Sequence, residues 1–355
     1  MNSRERVLTA LKRTGKPDKT PFEISWGAFT PMLMKTYREE TGSDLPPEEY
    51  FNFDTRFVSP SPTKLKTDFT KFFKGEFLPE NVSFDEWGIG SLPTLYEIPD
   101  FKYHPLEKMS KVEEIENYPW PDLAEDYRYI EMANRTKVFQ ERGYAVCGEL
   151  YQTIFETAWL MRNMMSFLLD MLQNEDIVHA ICEKITLIRI KQARLYAKAG
   201  VDIIRLGDDV VSQQGLMMSP ETYNKFFKQR IRRIILAAKE VNPDVIIFMH
   251  CCGKVEEVID DFIEAGVEVL NPLQPECNDL ILINSKYKEK LSFWGGIGVQ
   301  SIMFNGTPEE VALKVHEIKG LFGKDGGFLL APAHILDPSI PWDNVMAFID
   351  AAKDK

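Results

Sequence analysis

The 355-residue chain carries 42 basic against 54 acidic side chains, a net charge of −12, with 44% hydrophobic and 27% charged residues. That balance is ordinary for a globular protein and argues against a broad nucleic-acid or anionic-membrane surface. No apolar run approaches the roughly 18 residues of a membrane span, and Met1–Arg6 lacks the apolar core of a signal peptide. A cytoplasmic protein is expected. Its five cysteines, Cys147, Cys182, Cys251, Cys252 and Cys277, are odd in number and, apart from one adjacent pair, scattered. Such spacing suits reduced thiols available to a metal better than a disulfide framework.

Taken in order, Ser3–Arg13 reads as an amphipathic helix with Ser3 as N-cap and Val7, Leu8 and Leu11 on one face. Strands are expected at 22–26 and 51–59, with a helix over 31–41 between them. From Thr63 to Asp126 the text turns aromatic and turn-rich, as in Phe84-Asp85-Glu86-Trp87-Gly88, and predicts a hairpin-rich insertion. Beyond Tyr127, strand-like and helix-like segments alternate at βαβ spacing. The strands fall at 145–149, 202–206, 245–250, 267–271, 292–296 and 328–332. Helix starts are marked by Ser219-Pro220-Glu221 and by a capping box at Thr307-Pro308-Glu309-Glu310. Eight parallel strands alternating with helices predict one α/β domain over 1–355: a (β/α)8 TIM barrel with an N-terminal helix and an insertion at 63–126. No glycine-rich fingerprint follows an early strand, which weakens a dinucleotide-binding reading.

Polar residues gather where the strands end, the rim at which barrel loops converge. In Val245-Ile246-Ile247-Phe248-Met249-His250-Cys251-Cys252-Gly253 the period of two turns His250 and Cys252 to one face and Cys251 to the other. An imidazole and a thiolate suit a borderline cation such as zinc. The plainer alternative is a hydrogen-bonded histidine and a small cysteine pair closing a core strand. His334, in Leu330-Ala331-Pro332-Ala333-His334, supplies the third expected ligand, with Cys277 competing for that place. Asp208, Asp209 and Glu149 are the expected acid–base residues. Asn271 and Gln274 offer neutral polar contacts to a bound molecule, and Met217 an adaptable apolar one.

The runs His250-Cys251-Cys252-Gly253-Lys254-Val255, Gly266-Val267-Glu268-Val269-Leu270-Asn271-Pro272-Leu273-Gln274-Pro275, Phe293-Trp294-Gly295-Gly296-Ile297 and Ala331-Pro332-Ala333-His334 resemble the uroporphyrinogen decarboxylase superfamily. The resemblance implies a barrel with its cleft at the C-terminal face of the strands, and commonly a homodimer. It also implies one of two chemistries. Decarboxylases of this superfamily hold a polyanionic tetrapyrrole with an Arg-rich segment after the first strand, since bidentate guanidinium contacts suit carboxylates. Here that segment reads Ser25-Trp26-Gly27-Ala28-Phe29-Thr30, and no arginine follows it until Arg38. The other branch is similar to zinc-dependent methyltransferases that work with a corrinoid protein and carry H-x-C after the fifth strand and a cysteine after the eighth. His250 and Cys252 match the first feature, and His334 stands where the second has cysteine. The resemblance therefore implies methyl transfer between a corrinoid carried by a partner protein and a small nucleophilic substrate. Decarboxylation of a tetrapyrrole or another carboxylated compound is the alternative.

Overall fold

In the computed structural model, residues 1–24, 29–94 and 99–354 are described. Seven strands form one parallel sheet in chain order: β1 (Thr55–Val58), β2 (Ala145–Leu150), β3 (Ile203–Gly207), β4 (Ile246–His250), β5 (Val269–Asn271), β6 (Ser292–Ile297) and β7 (Phe328–Pro332). Their β-branched and aromatic runs are buried on both faces, as a parallel sheet between helices and a filled interior requires. The two edges of the sheet meet through Pro21–Glu23. Leu330 N donates to Pro21 O and Glu23 N to Leu330 O, while Asp54 N donates to Phe22 O. The expected strand at 22–26 is thus represented by a single bridged residue, Phe22, and Ser25 and Trp26 lie outside the described residues. The second expected strand is shorter than 51–59, because Pro47–Tyr50 forms a helical turn and Phe51 and Phe53 pack into the core before the backbone extends.

Alternation divides each strand between two cores. Ala145, Cys147, Ile203, Ile246, Phe248, Val269, Trp294, Leu329 and Ala331 form an inner cluster with Val7 and Leu11 of the N-terminal helix α1 (Ser3–Lys12). The helix plugs the N-terminal end of the sheet. Its N-cap is Asn2 and not Ser3: the Asn2 side chain accepts from Glu5 N, and Glu5 reaches back to complete a capping box. Outward residues such as Val146, Ile204, Ile247 and Leu330 join the larger core beneath the helices. Among these, α2 (Phe155–Arg162) follows β2, and α3 (Glu175–Lys198) packs along α4 (Gln229–Val241). The segment from 63 to 126 contains a three-stranded antiparallel sheet, Ser83–Phe84, Gly90–Leu92 and Asp100–Tyr103, around stacked Phe69, Phe73, Phe84 and Tyr118. Arg128 clamps it through both oxygens of Glu86 at 2.8 Å, and Arg162 of α2 donates to the carbonyls of Leu106, Glu107 and Met109.

Register sets the working end. Gly207, His250 and Asn271 lie side by side at the C-terminal ends of β3, β4 and β5. Gly207 has no side chain because Tyr151 fills that space: a Cβ there would meet the tyrosine ring at 2.5 Å. The ring of Tyr151 instead rests 5.4 Å from that of His250.

Candidate metal centre

His250 ends β4 pointing inward and is fully buried. Its Nδ1 lies 2.5 Å from Asn271 Oδ1, while Asn271 Nδ2 donates to Trp294 O at 3.0 Å. Because the amide NH2 is committed to that carbonyl, Oδ1 faces the imidazole, which places the imidazole hydrogen on Nδ1 and leaves the Nε2 lone pair facing outward. Burial lowers the His250 pKa to about 4, so the ring is neutral near pH 7. Nε2 stands 3.0 Å from Cys252 Sγ and 3.8 Å from Asp209 Oδ1. Asp209 Oδ1 also accepts from Cys252 N at 2.7 Å. One ligand atom from each of Asp209, His250 and Cys252 falls within 4.8 Å of the others.

Cys251, one residue away, points into the hydrophobic core. Gly253 then lets the chain turn at φ 114°, where a Cβ would strike Ser212 O at 2.6 Å. Electrostatically the cluster is short of positive charge. Burial pushes the Cys252 thiol up, and Asp209 adds to the rise. Burial also raises Asp209. Glu156, in the first turn of α2, is raised well above the carboxylate range by burial and by the charges of Asp209 and Asp208. A bound divalent cation reverses this balance by favouring the thiolate and the carboxylates. The nitrogen, sulfur and oxygen donors therefore fit a borderline metal ion.

The expected residues divide. His334 lines the same cleft as Asp209, Cys252 and Gln274, a cavity of about 280 Å³, yet its ring centroid is 6.4 Å from that of His250. The close-set group itself is completed by Asp209, with His334 beside it in the cleft. The chain bends at Ala333 and His334, immediately after β7, and His334 faces the same cavity as Asp209 and Cys252. Cys277 is half-buried beside Gln274 O and Asn278 Nδ2 and lies outside the group. Asp208 is fully buried, and its carboxylate accepts from Ile154 N and Glu156 N at 2.8–3.1 Å. It holds the start of α2 rather than facing the cleft. Glu149 pairs with Arg205 at 2.7 Å, and that guanidinium stands over Phe57, Phe248 and Trp294 inside the sheet. Asn271 acts on His250, and Met217 packs on the core with its N–H on Val210 O, away from the cavity wall. Sequence reasoning missed Glu156 and Tyr151; their signal was the polar loop Tyr151-Gln152-Thr153 and an acid in the first helical turn after a strand end.

Comparison with known proteins agrees with the architecture. Residues 91–355 match the family described as uroporphyrinogen decarboxylase (URO-D). A methylcobamide:CoM methyltransferase, MtaA, of Methanosarcina barkeri is 24% identical over 191 residues, 54% of this chain and 52% of that protein. A uroporphyrinogen decarboxylase of Christiangramia forsetii is 28% identical over 178 residues, 50% of this chain and 48% of that one. The chain spans about half the length of these curated relatives. The fold of a methyltransferase from Methanosarcina mazei superposes with a TM-score of 0.69 at 18% identity, covering 99% of this chain and 98% of that one. With three quarters of its length matched by the family model, this chain belongs to the uroporphyrinogen decarboxylase (URO-D) family.

Proposed function

We propose that this chain, folded as one barrel domain, is a metal-dependent methyltransferase moving a methyl group between a corrinoid carried by a partner protein and a small nucleophilic acceptor. The observation that carries the reading is the convergence of Asp209, His250 and Cys252 at the mouth of a small cleft. The relatives named as methyltransferases and the absence of arginine from residues 25–37 support it.

His250, Cys252 and Asp209 would hold the ion, zinc being the best match to this donor set. When bound, such an ion supplies Lewis acidity that lowers the pKa of the acceptor's nucleophilic atom. The remaining work belongs to the chain. Asn271 keeps Nε2 of His250 unprotonated and aimed at the site. His334, lining the same cleft and neutral because burial lowers its pKa, takes the acceptor's proton at a ring nitrogen. Asp208 and Arg189 fix the loop 151–156 that walls the cleft, Arg189 donating to the carbonyls of Tyr151, Gln152 and Thr153 at 2.8–3.2 Å.

Elemental analysis of purified protein tests the reading together with transfer from a methylated corrinoid protein, followed by the corrinoid's visible absorbance. About one zinc per chain is expected, lost in Cys252→Ala and Asp209→Ala and retained with slowed transfer in His334→Ala. Full transfer by metal-free protein would sink the proposal. The uroporphyrinogen decarboxylase relatives favour a second reading at comparable identity; carbon dioxide release from a carboxylated tetrapyrrole would establish it.

A further inference from the structure

The cavity beside Cys252 carries information about what it accepts. Its volume of about 280 Å³ suits a molecule of a few heavy atoms, and its wall carries three amides, one hydroxyl, one carboxylate, the Cys252 thiol and the His334 imidazole among apolar Val211 and Val299. Three glutamines contribute. Gln213 and Gln300 close the outer edge, side chain to side chain at 3.0 Å. Gln274 is different: only 6% exposed, it lines the cavity, and no side-chain hydrogen bond ties its amide to another described residue. Its amide reaches the cavity uncommitted, so a ligand that pairs with it gains a hydrogen bond without breaking one inside the protein.

Charge points the same way. Among the described residues no lysine or arginine lines the cavity, and Arg205 inside the sheet is already paired with Glu149. Asp209 forms part of the wall, Glu156 lies behind it against Asp209 N, and Glu276 holds the rim through Gln300 N and Ser301 Oγ. An acceptor with a carboxylate or sulfonate would be desolvated here without a counter-charge, which is unfavourable. A bound divalent cation would be matched by Cys252 and Asp209 and would leave no excess positive charge for a second anion.

Resting on the methyl-transfer reading, we propose that the acceptor is a small uncharged molecule whose amide- or hydroxyl-like group pairs with Gln274, and that anionic acceptors are excluded. Gln274 is the specificity-determining residue, presenting both a donor and an acceptor to that group.

The test uses two probes of nearly equal shape, mercaptoacetamide and mercaptoacetate, titrated against the purified protein by calorimetry. The amide is expected to bind about tenfold more tightly. Gln274→Lys should reverse the order, and Gln274→Leu should weaken the amide while leaving the carboxylate poor. Equal or tighter binding of mercaptoacetate to the wild type overturns the proposal, as does failure of both probes to bind. The readout is independent of methyl transfer. A preference for the amide in a protein that transfers no methyl group would uphold the pocket and overturn the reaction. Efficient methylation of an anionic thiol would uphold the reaction and overturn the pocket.

Discussion

The two ends of the sheet handle buried charge in opposite ways. At the N-terminal end each acid has two kinds of partner. Asp54 takes Arg6 and Phe22 N, Asp202 takes Arg4 through both oxygens and Val146 N, and Glu268 takes Lys239 and Ile247 N. At the C-terminal end Asp208, Asp209 and Glu156 crowd together, and no lysine or arginine salt bridge reaches any of them among the described residues. The first arrangement stabilises the fold. The second is unfavourable in itself and makes sense as a place reserved for an incoming positive charge, in keeping with the clustering of perturbed groups at functional sites.

The largest expected effect lies at the stabilising end. Asp54→Ala would strip Arg6 of its most buried partner and Phe22 N of its acceptor at the point where the sheet closes. Breaking such a pair costs about 3–5 kcal/mol, read as a lower urea midpoint at unchanged slope. A loss below about 1 kcal/mol would mean that the helix α1 plug, and not its ion pairs, secures this end.

At the other end the quantity to follow is metal affinity. Asn271→Leu removes the acceptor that fixes the His250 tautomer. Loss of such an orienting partner typically lowers affinity about 10–100-fold, measurable by competition with a chromophoric zinc chelator. Unchanged affinity would show that Tyr151 and burial alone orient the ring.

Glu156→Gln gives a smaller and opposite shift. The amide oxygen can still accept from Asp209 N, as the carboxylate now does at 3.4 Å, while the competition between acids disappears. Metal-free protein should gain about 1 kcal/mol. A loss of that size would mean the carboxyl donates a hydrogen bond that the fold needs.

What the sequence disclosed follows this division. Strands β4, β6 and β7 were legible because unbroken apolar runs with flanking turns have few other fates, and the shared face of His250 and Cys252 followed from the period of two. The choice between Asp208 and Asp209 was not legible. It is made by a long-range bond, Asp208 N to His250 O at 3.0 Å, after which one acid faces the loop and its neighbour the cleft. Nor was the inclusion of Asp209 in the close-set group legible, since it depends on Cys252 N pairing with Asp209 Oδ1 across strands. The first strand reads as apolar and extended, yet only Phe22 pairs within the described residues. The Asn2 cap was passed over for Ser3 although Asn2 and Glu5 already have capping-box spacing.

The most diagnostic expectation is a difference in sign with pH. Burial raises the Asp208 pKa from 3.8 to about 7, outweighing the amides that donate to it. Between those values the native protein holds more protons than the unfolded chain, so stability falls as pH rises. The Asp208 contribution is fully present below 3.8 and is lost as pH rises through about 7. Asp18 behaves in reverse: its hydrogen bond to Arg6, opposed in part by burial, lowers its pKa, so its contribution is present above 3.8 and is lost as pH falls below that. His250, lowered to about 4, adds a slope opposite to that of Asp208 between 4 and 6.5, so single curves mix these terms. Differences between wild type and variant separate them. Urea unfolding of Asp208→Asn against wild type should give a difference that changes steadily between about pH 4 and 7 and levels off outside that range, whereas Asp18→Asn should change only in the acid limb. A flat difference for Asp208→Asn would mean that the amides of Ile154 and Glu156 keep this carboxylate ionised throughout, and that the crowding of negative charge at the C-terminal end is carried by Asp209 and Glu156 alone.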